Sequence, residues 1–212
     1  MPRPSAPILS RDGIRAAALA IVDEDGLAGL SMRRLAERLG VRAASLYRHV
    51  FTKDELLEDV ANEIMSQVDT SAFAEGEWRH GLLVLARSYR AALAAHPNIV
   101  PFLAYGPARR QAALQRADAV HGGLTRAGWP PRYATMIGAS TKYLVVGSAI
   151  SSFSGGFSDD VQVYLERYPN LNQAHLLAAH AGEIDLDSFE LALATFLDGL
   201  SLLYPTVVRG KP

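Results

Sequence analysis

The sequence predicts an all-α fold. Apolar residues recur at the three- and four-residue spacing of amphipathic helices in most segments, as Ile14, Ile21 and Val22 do near the N-terminus. Two capping boxes, Thr52-Lys53-Asp54-Glu55 and Asp187-Ser188-Phe189-Glu190, indicate further helix starts. No alternating pattern typical of a β-strand separates these segments. We therefore expect helices packed on helices.

The first 53 residues predict a three-helix domain. The first helix covers about 10–25, the second runs from the N-cap Ser31 to Gly40, and the third covers about 42–49. Only the turn at Gly40 separates the second helix from the third. This is helix-turn-helix spacing, in which the later helix enters the major groove of DNA. We expect residues 1–53 to bind DNA.

The remaining residues, 54–212, predict a larger helical bundle. A fourth helix, about 53–68, connects it to the first domain, and a fifth follows over about 77–96. Two later helices, about 131–153 and 187–207, are apolar on more than one side, which is typical of helices packed between neighbours. We expect this domain to bind a ligand and to dimerise.

The charge distribution supports this division. The net charge is −1, but residues 1–53 carry nine cations and five anions, whereas the rest carries twelve cations and seventeen anions. A basic domain attached to an acidic one is typical of a small DNA-binding head on a body with another purpose.

The composition argues against several classes of protein. Of the 212 residues none is cysteine, which excludes disulfides, zinc–cysteine sites and thiol catalysis. His175 and His180 are five apart and so face different sides of a helix, and no nucleophile is paired with a base. We expect no enzymatic activity, no catalytic or metal-binding residues and no cofactor. No apolar run is long enough to span a bilayer and the N-terminus lacks a secretory segment, so a cytoplasmic protein without membrane contact is expected.

The N-terminal quarter closely resembles the DNA-binding domain of the tetracycline-repressor (TetR) family. The motifs that carry the resemblance are Gly26-x-x-x-Leu30-Ser31, Leu35-Ala36, Leu39-Gly40-Val41, Ser45-Leu46-Tyr47-x-His49-Val50 and Lys53-x-x-Leu56-Leu57. A looser likeness to the family's regulatory domain appears in Leu93-x-x-His96-Pro97, Leu124-x-x-Ala127-Gly128 and Phe196-Leu197-x-Gly199-Leu200. The resemblance implies an all-helical homodimer, usually a repressor, that binds a palindromic double-stranded DNA operator and releases it on binding a small molecule.

Candidate DNA contacts lie on and around the third helix. With Val41 and Leu46 facing inward, Arg42, Ala43, Ala44 and Arg48 remain to face DNA, where arginine pairs with guanine and alanine contacts the thymine methyl. The resemblance adds Arg33 as a base or phosphate contact, and Tyr47, His49 and Lys53 as phosphate contacts. Two positions stay open: Ser45 donates to a phosphate or caps a turn, and His49 serves the phosphates or packs against the first helix.

Candidate effector contacts combine apolar and polar side chains that helical spacing directs inward. They are Leu85 and Tyr89 of the fifth helix, Phe102 and Tyr105 of a short helix, His121, and Met136, Ser140 and Tyr143 of the helix over about 131–153. Each of them is also an ordinary core position. The short helix lacks the histidine with which tetracycline sensors bind the magnesium–drug complex, which argues against metal-dependent tetracycline sensing.

The helices over about 131–153 and 187–207 are candidates for the homodimer interface, as a four-helix bundle across a two-fold axis. Their apolar stripes are also compatible with burial inside one protomer, and the resemblance favours the dimer. Two alternatives remain for the whole chain: a helical body that binds a partner protein, or an enzymatic body, carrying a DNA-binding head. A ligand-sized cavity in the body would distinguish a sensor from a partner-binding protein.

Overall fold

Nine α-helices, joined by turns and 3₁₀ segments, form the described part of the chain. The computed structural model describes residues 9–50, 52–105, 110–165 and 167–209, and none of these residues forms a strand. The all-α prediction is confirmed. The helices are α1 Arg11–Gly29, α2 Met32–Leu39, α3 Ala43–Leu46, α4 Lys53–Ser66, α5 Trp78–Ala94, α6 Val100–Tyr105, α7 Gln111–Arg126, α8 Pro131–Ile150 and α9 Ala181–Arg209.

The described residues divide into two compact units. The head unit comprises the described residues of Met1–Gln67 and Ala95–Gln115, and therefore contains α1 to α4 together with α6. The body unit comprises the described residues of Val68–Ala94 and Arg116–Pro212, which include α5, α8 and α9.

The first two helices begin at serine N-caps, of which the sequence indicates Ser31. The hydroxyls of Ser10 and Ser31 accept hydrogen bonds from the backbone N–H groups of Gly13 and Arg34, which satisfies two N-terminal donors. Gly40 ends α2 in the left-handed conformation at φ 65°, which favours glycine because a Cβ atom would be strained there. The α1 helix differs from its prediction because it continues past Gly26 to Gly29, with a local break at Gly26 (φ 72°, ψ 178°) instead of an end.

The third helix is shorter than the predicted 42–49. Arg42 is the extended N-cap at ψ 141°, and only residues 43–46 are α-helical. The backbone N–H of His49 bonds the carbonyl of Leu46 at 2.8 Å, so the chain tightens into a turn immediately after the helix. The predicted DNA contacts between Arg42 and His49 therefore lie on the N-cap of α3, its single helical turn and the turn that follows it.

Fully buried aliphatic residues hold the head unit together. Each contributes on the order of 1.5–3 kcal/mol relative to exposure. Those with no exposed surface include Ile14, Ile21, Val22, Leu35, Leu46, Val50, Leu56 and Ile99.

The body unit is centred on α5, which packs against α8 and α9. The ring of Phe73 is almost entirely buried and lies between two glycines, Gly81 of α5 and Gly123 of α7. A Cβ atom at Gly81 would lie 2.6 Å from Cδ1 of Phe73, and one at Gly123 would lie 2.8 Å from Cβ of Phe73. The ring therefore has no room to move away from either glycine.

Gly123→Ala should lower the free energy of unfolding by about 1–3 kcal/mol, because the added methyl group overpacks this contact. The neighbouring Gly122→Ala is the matched control, since its Cβ atom would approach only the mobile guanidinium of Arg126. That substitution should be neutral or stabilise the helix by up to about 1 kcal/mol. Thermal denaturation followed by circular dichroism measures both, and equal midpoints for the two variants would contradict the packing argument.

The last helix begins earlier than predicted. The sequence places its start at the capping box of Asp187 to Glu190, but α9 begins at Ala181, and the box lies inside the helix. The preceding 3₁₀ turn Ala178–His180 leads directly into α9, so the backbone N–H groups at the box no longer need caps. The other helix of the predicted dimer interface, α8, ends earlier than predicted. It stops at Ile150 and not at residue 153, because Ser151 is extended.

One helix contradicts the expectation that no segment is long and apolar enough to cross a bilayer. Within the described residues, the helical stretch Ala178–Val208 reaches a mean hydropathy of 1.6 over an 18-residue window, of which 17% is buried. Its buried side comprises Phe189, Leu193, Leu197 and Leu200, whereas Leu191 and Leu202 are exposed.

Candidate DNA-binding and effector sites

The α3 segment exposes one side and buries the other. Leu46 and the following Val50 have no exposed surface, which anchors the segment to the head unit. Arg42, Ala44 and Arg48 are exposed, and so is the ring of Tyr47. Both arginines also lack an ion-pair partner among the described residues, so their guanidinium groups remain available to an external ligand.

The other predicted contacts in this segment are half-buried. They are Ala43 and Ser45 of α3 and His49 in the turn that follows it. Both open roles of His49 are compatible with its position. Their contacts with DNA stay a prediction.

The arginines of α2 are engaged in ion pairs. Arg33 is highly exposed and its Nε donates to Glu37 at 2.9 Å, one helical turn away, which raises the pKa of Arg33. The remaining guanidinium donors of Arg33 are free to contact DNA. Exposed pairs of this kind contribute little to stability.

Arg34 and Arg38 connect α2 to the end of α1. Arg34 pairs with Asp25, and Arg38 donates two hydrogen bonds to Glu24 at 2.6 and 2.7 Å. These bonds lower the pKa of Glu24, because they favour its ionised form. The two arginines therefore orient α2 on α1. The sequence signal for these ion pairs is the acidic run Asp23-Glu24-Asp25, which supplies both partners.

Lys53 has a structural contact that the sequence does not reveal. Its ammonium group donates a 2.8 Å hydrogen bond to the carbonyl oxygen of Leu27, in the last turn of α1. The ammonium keeps two further donors, so the predicted phosphate contact stays compatible with this bond.

Residues 96–99 are bound to the same end of α1. The side-chain amide of Asn98 donates to the carbonyl oxygens of Val22 at 3.1 Å and Asp23 at 2.9 Å. His96 Nδ1 lies 2.9 Å from the carboxylate of Asp23, and Ile99 is fully buried. Nothing in the local sequence predicts these contacts, because they join residues more than 70 positions apart.

Two of the predicted effector residues lie in the interior of the body unit. Leu85 and Tyr89 are one turn apart on α5 and are both buried. The guanidinium carbon of Arg116, on α7, lies 4.5 Å from the centre of the Tyr89 ring. His121, also on α7, is half-buried with its Nε2 3.2 Å from the carbonyl oxygen of Pro131.

The residues of α6 belong to the head unit. Phe102 is half-buried, and the guanidinium of Arg110 lies 4.9 Å from its ring centre. Arg110 is in turn fixed by a 2.5 Å contact with Glu58 of α4. Tyr105 ends α6, and its side chain lies outside the described part of the structure.

The three predicted effector residues of α8 lie on an outer face of the protomer. Met136, Ser140 and Tyr143 are exposed, and Tyr143 is 71% exposed. Ile150 continues the row, seven residues after Tyr143. These residues face solvent whereas Tyr89 is buried, and their role in effector binding stays a prediction.

A metal centre is not formed by the residues that the structure describes: no three His, Cys, Asp or Glu side chains are placed to hold an ion.

Two family models match the chain, one on each side of residue 70. The model described as "Bacterial regulatory proteins, tetR family" matches residues 14–60, and "Tetracyclin repressor-like, C-terminal domain" matches residues 72–204. The N-terminal match contains the helix-turn-helix described above.

Curated relatives are transcriptional regulators. The tetracycline repressor protein class A from transposon 1721 of Escherichia coli is 31% identical over 194 residues, which cover 87% of each chain. An HTH-type transcriptional regulator of Saccharopolyspora erythraea is 33% identical over 142 residues, which cover 67% of this chain and 60% of that protein.

Solved structures share the fold along nearly the whole chain. A possible TetR family regulator from Streptomyces coelicolor A3(2) has a TM-score of 0.74 at 30% identity, covering 92% of this chain and 100% of that one. ActR of Streptomyces coelicolor, in complex with actinorhodin, has a TM-score of 0.71 at 28% identity and covers 92% of this chain and 96% of its own. The chain belongs to the TetR family of transcriptional regulators.

Proposed function

We propose that the chain is a cytoplasmic, homodimeric repressor that binds a palindromic operator and releases it when a small molecule binds the body. The observation that carries the proposal is the face of Arg42 and Arg48, exposed and without ion pairs to the described residues, directly after the tight turn at Gly40. An arginine in that place can donate two hydrogen bonds to a guanine. The solved complexes of ActR with actinorhodin and with (S)-DNPA support the small-molecule part.

Exposed apolar rows on α8 and α9 support the homodimer. Met136, Tyr143 and Ile150 are spaced by seven residues along α8, and exposed Leu191 and Leu202 are eleven apart on α9, so each set lies on one side of its helix. Pairing these faces around a two-fold axis would cover apolar surface that one protomer leaves in water. Burial in this interface would account for the high hydropathy of α9. The proposal includes no contact with a membrane.

The segment that contains Asn98 and α6 is bound to the helices that carry the DNA-binding face. It belongs to the head unit and is hydrogen-bonded to α1 next to the break at Gly26. A ligand that displaces this segment would shift α1, and with it α2 and α3. Such a ligand must bind the DNA-incompetent arrangement more tightly, since equal affinity for both shifts nothing.

Selection of binding sequences by the purified protein from a randomised duplex library tests operator recognition. We expect a roughly palindromic site whose half-sites are about one DNA turn apart, near ~34–36 Å. Affinity should fall steeply with salt, because phosphate neutralisation releases counterions. A scrambled duplex of the same composition is the control, and equal affinity for the two would exclude specific recognition.

Footprinting on genomic DNA then identifies the genes next to each bound site. The substrates of the proteins that these genes encode are the compounds to screen for release of the operator. A compound that weakens operator binding must itself bind more weakly in saturating operator, by the same factor. An unchanged compound affinity would contradict the proposed release mechanism without affecting operator recognition.

A further inference from the structure

Within the described ranges, buried side-chain polar atoms without a partner occur in the body unit alone. Among the described residues, six such side-chain atoms occur, on Arg79, Arg90, Arg116, Trp129, Ser154 and His175. Buried donors are normally hydrogen-bonded in folded proteins, so each exception calls for an explanation. Three of the six belong to guanidinium groups, which are especially costly to bury without an anion.

Two of the three arginines, Arg90 and Arg116, have no ion pair with a described residue. Arg79 pairs with Asp198 through its second terminal nitrogen at 2.7 Å, and Arg90 lies over the ring of Phe189 at 5.1 Å. Arg116 has no ion pair with any described residue, and burial lowers the pKa of its guanidinium group. Its Nη1 is shielded from water and donates to no described atom.

An aromatic ring lies beside Arg116, and buried apolar residues occupy the neighbouring helical turns. Its guanidinium lies 4.5 Å from the centre of the Tyr89 ring, a distance typical of a cation–π contact. Leu85 precedes Tyr89 by one turn of α5, Val120 follows Arg116 by one turn of α7, and both are buried. Such surroundings strengthen the attraction between a guanidinium and an anion that reaches it, because little water competes.

We propose that Arg116 binds the negatively charged group of the effector, and that the effector is an organic anion with an aromatic body placed beside Tyr89. The planar guanidinium can donate two parallel hydrogen bonds to a carboxylate or sulfonate. An anion would satisfy the unpartnered Nη1 and neutralise the buried cation. The inference rests on the proposed effector function of the body and specifies its ligand class.

Two fluorescent probes separate charge from shape: 8-anilinonaphthalene-1-sulfonate and its uncharged parent, N-phenyl-1-naphthylamine. We expect the wild type to bind the anion more tightly than the neutral probe. Arg116→Met should raise the Kd of the anion about tenfold or more, the loss expected for one charge-assisted hydrogen bond. The Kd of the neutral probe should change less than about twofold. Arg132→Met, which removes an exposed arginine of the same unit, is the matched control and should alter neither Kd.

The thermal midpoint of the ligand-free protein provides an independent measurement. If the guanidinium of Arg116 is unpaired until an anion binds, Arg116→Met should raise the midpoint. An apolar side chain of similar length removes an uncompensated buried charge. If Arg116 instead stabilises the fold through Tyr89, the same substitution lowers the midpoint. A lower midpoint with an unchanged Kd of the anion overturns the proposal, as does a wild type without preference for the anion.

Release of operator DNA by the anionic probe is measured separately, by fluorescence anisotropy of a labelled duplex. Binding through Arg116 without release supports the anion site and contradicts the effector function for this ligand class. Release that Arg116→Met leaves unchanged contradicts the anion site and supports the effector function. The two proposals therefore fail on different outcomes.

Discussion

Leu202→Asp should dissociate the proposed homodimer and lower operator affinity by about 10²- to 10⁴-fold. Leu202 is 79% exposed in the protomer and lies on the same face of α9 as Leu191. A carboxylate placed in a closely packed apolar interface is desolvated without a partner, so the interface should not form. A protomer then binds only one half-site, and the gain from linking two binding heads is lost.

Sedimentation velocity at several protein concentrations measures the change in assembly, and anisotropy with a labelled operator measures the change in affinity. The matched control is Leu114→Asp, which introduces the same charge at an exposed leucine of α7. The control should remain dimeric and bind the operator normally. If the Leu202→Asp protein stays dimeric, the exposed face of α9 is not the dimer interface.

The general architecture can be predicted because its determinants are local. Ser31 and Gly40 specify the two ends of α2 through capping and backbone preference, and helical spacing places Leu35 in the core. The head unit nevertheless extends beyond the predicted residues 1–53, because it also contains α4 and α6. The predicted start of α9 is wrong for the converse reason: a capping box indicates a helix start only if no helical turn precedes it, and the turn at Ala178–His180 does.

The roles of individual side chains depend on contacts that no local pattern contains. Lys53 fits a family position for a phosphate contact, yet its ammonium also bonds the carbonyl of Leu27, 26 residues away. Tyr143 is of a residue type that is common in ligand pockets. The packing of α8, however, turns its side chain toward solvent. The sequence does not reveal that the Nη1 of Arg116 is unpartnered, because this depends on which acceptor groups the fold brings within hydrogen-bond distance.

Arg42→Ala should lower operator affinity by about 1–3 kcal/mol and relax the preference at one base pair in each half-site. Arg42 is the exposed N-cap of α3 and has no ion pair with the described residues, so its guanidinium can pair with a guanine. Lys53→Ala should instead weaken the binding of all duplexes similarly, because phosphate contacts carry no sequence information. Binding to a panel of operators with single base-pair changes distinguishes these two patterns.

Arg34→Ala is the arginine control in the same motif. Its guanidinium is engaged by Asp25, so the substitution should perturb the junction of α1 and α2 and alter operator affinity by less than about threefold, with no change of preference at any base pair. The distinction between the three side chains follows from their partners among the described residues: Arg42 has none, Lys53 shares its donors with a carbonyl, and Arg34 is paired. If Arg42→Ala weakens every duplex by the same factor, Arg42 contacts phosphate rather than a base. Sequence recognition would then have to come from Arg48 and the exposed surface of Ala44.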